Sequence, residues 1–599
     1  MRVCVRLVRV RRTGRAGRRR AVRVYEAIVK GLEDVGTQTA FGGTGEHVAD
    51  LLLALKDSRQ IRTIITRNEQ AASYMACGEA MYTNRLGFCF ATGGPGAFNL
   101  INGLAVARSD SYPVLAVTGY APLEWRGWGA LNETSGLRGT PDSHAVFAST
   151  TKKSFLLTDA GDVCDVLEEA VHVAFEGRPG PVHIDVAQDL TRHGVEVKNL
   201  RRIGLDVQPV RPDEARVEEI ASVLAEAFAA RKRVVALVGF GAVRSEAGPE
   251  IRRMIERFQI PLVTTMDGKG IVSEGHPLAV GVFADSGHSS AWKAFREADI
   301  VLSIGNSLNQ HATFDFRDDL FDGKVLIHVN ISEDEFNRAY RPQYTLRSDA
   351  RRAVAAVTDA LEQRVGEVPR AEVEGQDYEA RHIHNLPGKI HPGELAQAIG
   401  RLLPPQGVLL GDAGAHTAWL GYYVELDEGQ HFRKPGSFGP MAGNVCGAIG
   451  VKIAHPERTV VVGCGDGCYT MGGFELMTAV EHDIPVIWII FNDGEFKLIR
   501  LYQLSRRADA GLVEFQNPDF VAYARSCGAD GHRVDTLDEF EEAFRAAVAS
   551  GRPTLIDARI TRWAVPHYSP SPEGQISGLV DVVEARLRKD QKGRQTGEE

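Results

Sequence analysis

Thr459-Val460-Val461-Val462-Gly463-Cys464-Gly465-Asp466-Gly467, with the stretch Pro485-Val486-Ile487-Trp488-Ile489-Ile490-Phe491-Asn492-Asp493 that follows it, decides the fold. The apolar run from Thr459 reads as a buried parallel strand driving into a turn. The glycines of Gly465-Asp466-Gly467 let backbone N–H groups close on an anion, and Asp466 offers a hard oxygen to a divalent metal. Met471–His482 has helical character, and Pro485–Phe491 reads as a second buried strand. Parallel strands finish on the same edge, so this βαβ unit returns Asn492-Asp493 to the side of Asp466. Two carboxylates facing a glycine turn make a site for Mg²⁺ and a diphosphate. A bare Gly-Asp-Gly is usually an ordinary turn; the spacing, the strand–helix–strand context and the second oxygen ligand set this one apart.

A Gly-Asp-Gly turn, a spacer of this length and then Asn-Asp resembles the signature of the thiamine-diphosphate (ThDP) enzymes. The resemblance implies that Asp466, Asp493 and the backbone carbonyl of Glu495 hold the metal, with Gly465 and Gly467 at the diphosphate. Asp493 stands where Asn is commoner, a variant met in the catabolic acetolactate synthases that this segment resembles. Its extra charge is expected to strengthen Mg²⁺ binding and to repel the diphosphate slightly. ThDP chemistry also needs a carboxylate at N1′ of the aminopyrimidine, which favours the imino tautomer that removes the thiazolium C2 proton. Glu69 is the candidate, in Arg67-Asn68-Glu69-Gln70-Ala71-Ala72-Ser73, after the apolar strand Ile61–Ile65 and at the start of a helix of small residues. The strand Leu86–Ala91, the turn Gly93-Gly94-Pro95-Gly96 and Asn99 follow it. This arrangement resembles the pyrimidine-binding domain of the acetolactate synthase and pyruvate oxidase group. For an isolated Glu69 the plain alternative is a solvated carboxylate favoured by the helix dipole.

Glu46, in Phe41-Gly42-Gly43-Thr44-Gly45-Glu46-His47, falls on the same sheet edge one βαβ unit earlier. The resemblance gives it a proton-handling role; the alternative is an ordinary helix-start Glu, and His47 reads as a helix-face residue. Before the helix Asn444–Ala454 lies Ser437-Phe438-Gly439-Pro440-Met441-Ala442-Gly443. By resemblance Met441 is the apolar wedge that bends the cofactor, and the Gly439 carbonyl accepts from the 4′-amino group.

A chain of 599 residues suggests about four domains, fewer where α/β domains run long. With 44% hydrophobic and 25% charged residues the composition is that of a globular protein. A net charge of −9 gives no footing for nucleic acid, and no apolar run approaches a membrane span. The eight cysteines lack paired metal spacing and read as reduced core thiols, which points to cytoplasm. The first twenty residues carry nine arginines and no acid. They read as a basic disordered tail, 1–20.

Three doubly wound, parallel-sheet α/β domains are expected: pyrimidine-binding at 21–191, central at 205–365 and diphosphate-binding at 393–578, with a linker at 366–392 and a tail at 579–599. The central domain should hold strands at Val234–Val238, Leu262–Thr264, Ile300–Ile304 and Val325–Asn330. Its Gly239-Phe240-Gly241-Ala242 lacks the full dinucleotide fingerprint. FAD is not expected, because Asn306-Ser307-Leu308-Asn309-Gln310 replaces the Asp-Asp-Arg run of the flavin-binding synthases. In relatives the C-terminal segment closes over substrate, which makes Trp563–Gly578, with His567, a candidate lid; a surface tail is the alternative.

The resemblance implies a homo-oligomer, dimer or tetramer, because the two halves of one cofactor come from different subunits. It implies decarboxylation of a 2-oxo acid, after which the remaining enamine is protonated, joined to a second carbonyl, or oxidised. Pyruvate-type decarboxylases carry a glutamate where Ile499 stands here, and they have adjacent histidines that this chain lacks. An acetolactate synthase-like carboligase with a small-molecule carbonyl acceptor is therefore expected. A simple decarboxylase, a flavin-dependent pyruvate oxidase, a 2-hydroxyacyl-CoA lyase and a non-catalytic scaffold are the alternatives. Arg138, Lys497 and Arg500 are candidate partners for a substrate carboxylate, with plain surface charge as the other reading.

Overall fold

A computed structural model describes residues 22–192, 194–195, 201–205, 208–284, 286–376, 389–506, 509–566 and 585. Its backbone is organised by three six-stranded sheets, each parallel throughout. The three α/β domains expected from the sequence are therefore present. The basic tail and His567 lie outside the described residues.

The chain separates into two compact units. One holds the residues up to Gln208 together with Pro435–Pro456 and Gly472–Ile484; the other holds Pro209–Lys434, Glu457–Met471 and the residues from Pro485 on. In the first unit the strand order is Arg62–Ile65, Thr39–Gly42, Gly87–Ala91, Val114–Tyr120, Val182–Ala187 and Lys153–Leu157. The central four strands of this sheet are buried along their length, as apolar runs covered by helices on both faces must be. The helix Glu69–Tyr82 is buried from Ala71 to Met81, because its small residues admit a second helix, Gly443–Ala454. A Cβ on Gly78 would stand 2.0 Å from the Gly447 carbonyl oxygen, and one on Gly450 would stand 1.9 Å from that of Met75. Only glycine allows these two backbones to approach so closely.

The second unit holds two sheets. One runs Ala279–Val282, Leu262–Thr264, Val234–Val238, Ile300–Ile304, Val325–Asn330, Tyr344–Arg347. The other runs His431–Arg433, Val408–Gly411, Val460–Gly465, Val486–Asn492, Thr554–Arg559, Asp530–Val534. The four strands expected in the central domain are present at the stated residues. Ala279–Val282 and Tyr344–Arg347 are additional and lie at the two edges of that sheet. No helix of the described residues is long and apolar enough to cross a membrane.

Candidate active site

The strand Val460–Gly465 pairs in register with Val486–Asn492, Gly465 opposite Phe491, so both chain segments leave the sheet on one edge. The helix starts at Asp466 itself rather than near Met471, and there is no free-standing turn between strand and helix. Asp466 is 1% exposed. Its Oδ1 accepts from the Gly467 amide at 2.8 Å, and its Oδ2 accepts from the Gly494 amide at 2.8 Å and from Asn517 Nδ2 at 2.7 Å. Burial raises its carboxyl pKa, against the pull of these donors. Asn517 also donates to Asn492 Oδ1 at 3.0 Å, and Asn492 donates to Asp557 at 2.7 Å, which fixes the end of the strand.

Asp493 follows at once, its side chain 5% exposed and 3.5 Å from the Lys497 ammonium. Burial drives its pKa up; Lys497 opposes this, and Glu495 and Asp466 add to it. The Glu495 carbonyl oxygen accepts from the Lys497 amide at 3.0 Å and keeps a second lone pair. The Glu495 side chain is fully buried between Lys497 Nζ at 2.5 Å, Arg500 at 2.7 Å and Arg562 at 3.5 Å. Lys497 and Arg500 are therefore neither surface charges nor a ready clamp for a substrate carboxylate, since both are buried and bound to Glu495. Arg138 stays exposed, in a loop held by Glu133, which accepts from the Gly129 and Ala130 amides. Ile499, on the helix Lys497–Arg506, is 49% exposed.

One residue at this edge escaped the sequence reading. His416 lies in the helix Ala415–Tyr423, which follows the strand Val408–Gly411 through Asp412-Ala413-Gly414. Its ring is buried 3.2 Å from where a Gly465 Cβ would be, and its Nε2 has no hydrogen-bond partner. Burial pushes its pKa down to about 4, so the ring is neutral. An unpartnered buried nitrogen beside a glycine turn is what a polar ligand at Gly465-Asp466-Gly467 would satisfy. The strand–glycine–helix pattern before His416 was the available signal. Among the described residues no three His, Cys, Asp or Glu side chains form a metal-holding group. The two carboxylates Asp466 and Asp493, with the spare lone pair of the Glu495 carbonyl, fit a Mg²⁺ ion that takes its remaining oxygens from a diphosphate.

The other donor set belongs to the first unit. Glu69 is the first residue of its helix and is partly buried. Asn68 caps that helix by accepting from the Gln70 amide at 2.8 Å, and the Glu475 carboxylate accepts from the amides of Arg67 and Asn68 at 3.0 and 3.1 Å. Asn99 Nδ2 donates to Glu69 Oε2 at 2.9 Å. The carboxylate rests in a glycine cradle: Cβ atoms on Gly43 and Gly96 would come within 2.7 and 3.1 Å of Oε1. Glu46 opens a short 3₁₀ turn, is exposed, and accepts from Gln188 Nε2 at 3.1 Å. His47 lies in the same 3₁₀ turn on its buried face; it is 5% exposed, against Gly93, and its Nδ1 has no partner. Met441 is partly buried just before the helix Gly443–Ala454, and Gly439 takes the left-handed φ of +61° that glycine permits.

One parallel sheet thus ends at Asp466 and Asp493, and another carries the cradled helix-start carboxylate of Glu69. The chain belongs to the thiamine pyrophosphate enzyme family. Residues 22–145 match its N-terminal TPP binding domain, 221–357 its central domain and 412–558 its C-terminal TPP binding domain. The chain is 31% identical over 589 residues to the probable acetolactate synthase large subunit of Methanocaldococcus jannaschii, covering 94% of this chain and 97% of that protein. It is 29% identical to the acetolactate synthase large subunit of Corynebacterium glutamicum, over 89% of this chain and 86% of the relative. It is also 29% identical to the acetolactate synthase of Mycobacterium bovis, over 89% and 87%.

Proposed function

We propose that this protein is a Mg²⁺-dependent ThDP carboligase, which decarboxylates a 2-oxo acid and joins the remaining acyl unit to a second carbonyl compound. The observation that carries the reading is Glu69 in its glycine cradle, bonded to Asn99, in a chain that also places Asp466 against Gly494 and Asn517 beside Asp493. ThDP, when bound, supplies a nucleophilic carbon and an electron sink for loss of CO₂. Glu69 holds the proton at the pyrimidine nitrogen, Asp466 and Asp493 hold Mg²⁺ with the Glu495 carbonyl, and His416 lends its unpartnered nitrogen to the diphosphate. Met441 and the Gly439 carbonyl support the ring from the loop before the helix Gly443–Ala454. Glu46 handles protons at the same edge as Glu69.

Joining rather than protonation is favoured by the half-exposed, apolar Ile499, which offers no acid to the reacting carbon. The names of the relatives, acetolactate synthases, support the same choice. A homodimer or homotetramer in the cytoplasm, without FAD, completes the reading. Incubation with ThDP, Mg²⁺ and pyruvate, with and without a panel of 2-oxo acids and aldehydes, tests it by mass spectrometry of the products. A coupled hydroxyketone is expected; free aldehyde as the sole product would overturn the carboligase reading in favour of a decarboxylase.

A further inference from the structure

We infer that Lys497 is a built-in counter-cation of the metal site, paired with Asp493 and displaced from it when a divalent ion binds, so that this pair sets the affinity for the metal. The inference deepens the ThDP reading of this edge and rests on it. Three buried carboxylates, Asp466, Asp493 and Glu495, lie at the ends of two paired strands, and their partners differ in kind. Asp466 is satisfied by N–H donors alone, from Gly467, Gly494 and Asn517. Glu495 is surrounded by cations: Lys497 at 2.5 Å, Arg500 at 2.7 Å and Arg562 at 3.5 Å. Asp493, just past the end of its strand, has the Lys497 ammonium at 3.5 Å, from the first residue of the helix that follows.

Lys497 is pinned in that place. It is 9% exposed, it bridges both acids, and its Nζ also donates to the Arg562 carbonyl. Arg562 in turn donates to the Asp493 carbonyl at 3.4 Å. Like charges this close repel, and a buried carboxylate without a partner is costly. Lys497 removes that cost at Asp493 while no metal is bound. A divalent ion that takes Asp493 as a ligand must break the contact, whereas Glu495 keeps its arginines and holds the ammonium nearby. The extra negative charge of Asp493 is therefore largely cancelled within the fold, and the tighter metal binding expected from that charge alone is not realised.

The test is calorimetric titration of Mg²⁺ into chelator-treated protein saturated with ThDP, for wild type, K497Q, K497R, D493N and D493N/K497Q. Loss of a supporting group next to a metal ligand typically changes affinity by about tenfold or more. K497Q should tighten Mg²⁺ binding by about tenfold and K497R should restore the wild-type value, in line with that scale. D493N, which removes the charge together with the pair that cancels it, should change binding little, and adding K497Q to it should tighten binding far less than tenfold, because no Asp493 ion pair is left to break. Unchanged or weaker binding in K497Q overturns the inference. So does equal tightening in both backgrounds, which would mark a long-range field instead of a pair. Melting curves without cofactor check that K497Q is folded; K497M, which keeps the unbranched, apolar stem without the charge, replaces it if it is not. Wild-type protein that takes up no Mg²⁺ with ThDP present would instead overturn the cofactor reading itself, and the pair with it.

Discussion

The two sheet edges that carry the candidate residues, one in each unit, are built on the same architecture by opposite means. At the edge proposed for the metal the acids are buried among donors: Asp466 accepts from three N–H groups, Asp493 and Glu495 share Lys497, and Glu495 also meets two arginines. At the Glu69 edge the acid has one hydrogen-bond donor, Asn99, and its place is set by shape, a hollow that Gly43 and Gly96 leave open. The first edge is organised by charge and polar contacts that persist without ligand. The second is organised by backbone clearance, with Glu69 Oε1 facing glycines and His47 Nδ1 left unpartnered. A metal site must hold oxygens rigidly at fixed distances. A carboxylate that has to meet a cofactor nitrogen needs clearance and a spare oxygen instead.

The comparison breaks first at Asp466. Asp466→Ala removes a proposed metal ligand and strands the Gly494 and Asn517 donors in a buried place. Mg²⁺ and ThDP affinity should fall together by about a hundredfold or more, and turnover should vanish with them. Calorimetry of both ligands checks this, and retention of ThDP affinity would move the metal elsewhere. Glu69→Gln should do the reverse. ThDP stays bound while kcat drops by about 10²–10⁴-fold, the usual worth of a positioned proton-transfer group. Product assays beside a binding isotherm separate the two cases.

Gly43→Ala probes the shape argument without touching any charge. The new methyl would come within 2.7 Å of Glu69 Oε1, and Glu69 must move. A displacement of about 1 Å at a catalytic group can cost about a hundredfold in rate. kcat should fall on that scale with Mg²⁺ affinity unchanged, since the proposed metal ligands Asp466 and Asp493 belong to the other unit. Unchanged kcat would mean that the cradle does not position Glu69.

Much of this was legible in sequence because parallel sheets write themselves as apolar runs. Val234–Val238 and Ile300–Ile304 were readable to the residue, each lying inside its sheet. Ala279–Val282 and Tyr344–Arg347 were not, since short edge strands carry glycine, threonine and arginine and show no continuous run. The helix start at Asp466 was missed because Gly465-Asp466-Gly467 has poor helix propensity; the chain turns helical there under tertiary constraint. The burial of Lys497 and Arg500 was hidden for a different reason. A cation in sequence looks the same whether water or a carboxylate surrounds it, and the sequence points to Glu495 only through its backbone carbonyl, not its carboxylate.

A smaller effect sharpens the contrast between matched and unmatched acids. Glu79 lies on the helix that Glu69 opens and is 2% exposed. Its Oε1 accepts from Thr39 Oγ1 at 3.2 Å, and its Oε2 has no partner. Burial raises its pKa to about 7, with Arg85 and Thr39 pulling only partly the other way. Because the folded protein holds this proton more tightly than the unfolded chain, the stability it confers is complete below about pH 4.5, the ordinary value for Glu. It is lost as pH rises through about 7. Glu79→Gln cannot ionise, so it should leave melting near pH 5 almost unchanged. Near pH 8 it should stabilise the protein by roughly 1–3 kcal/mol, a rise of about 1–3 degrees in melting temperature. Melting curves of both proteins across pH 5–8 decide the matter. Curves separated by the same amount at every pH would show that Glu79 does not titrate in this window, and that an acid with one hydrogen bond is held there as securely as Asp466 is with three.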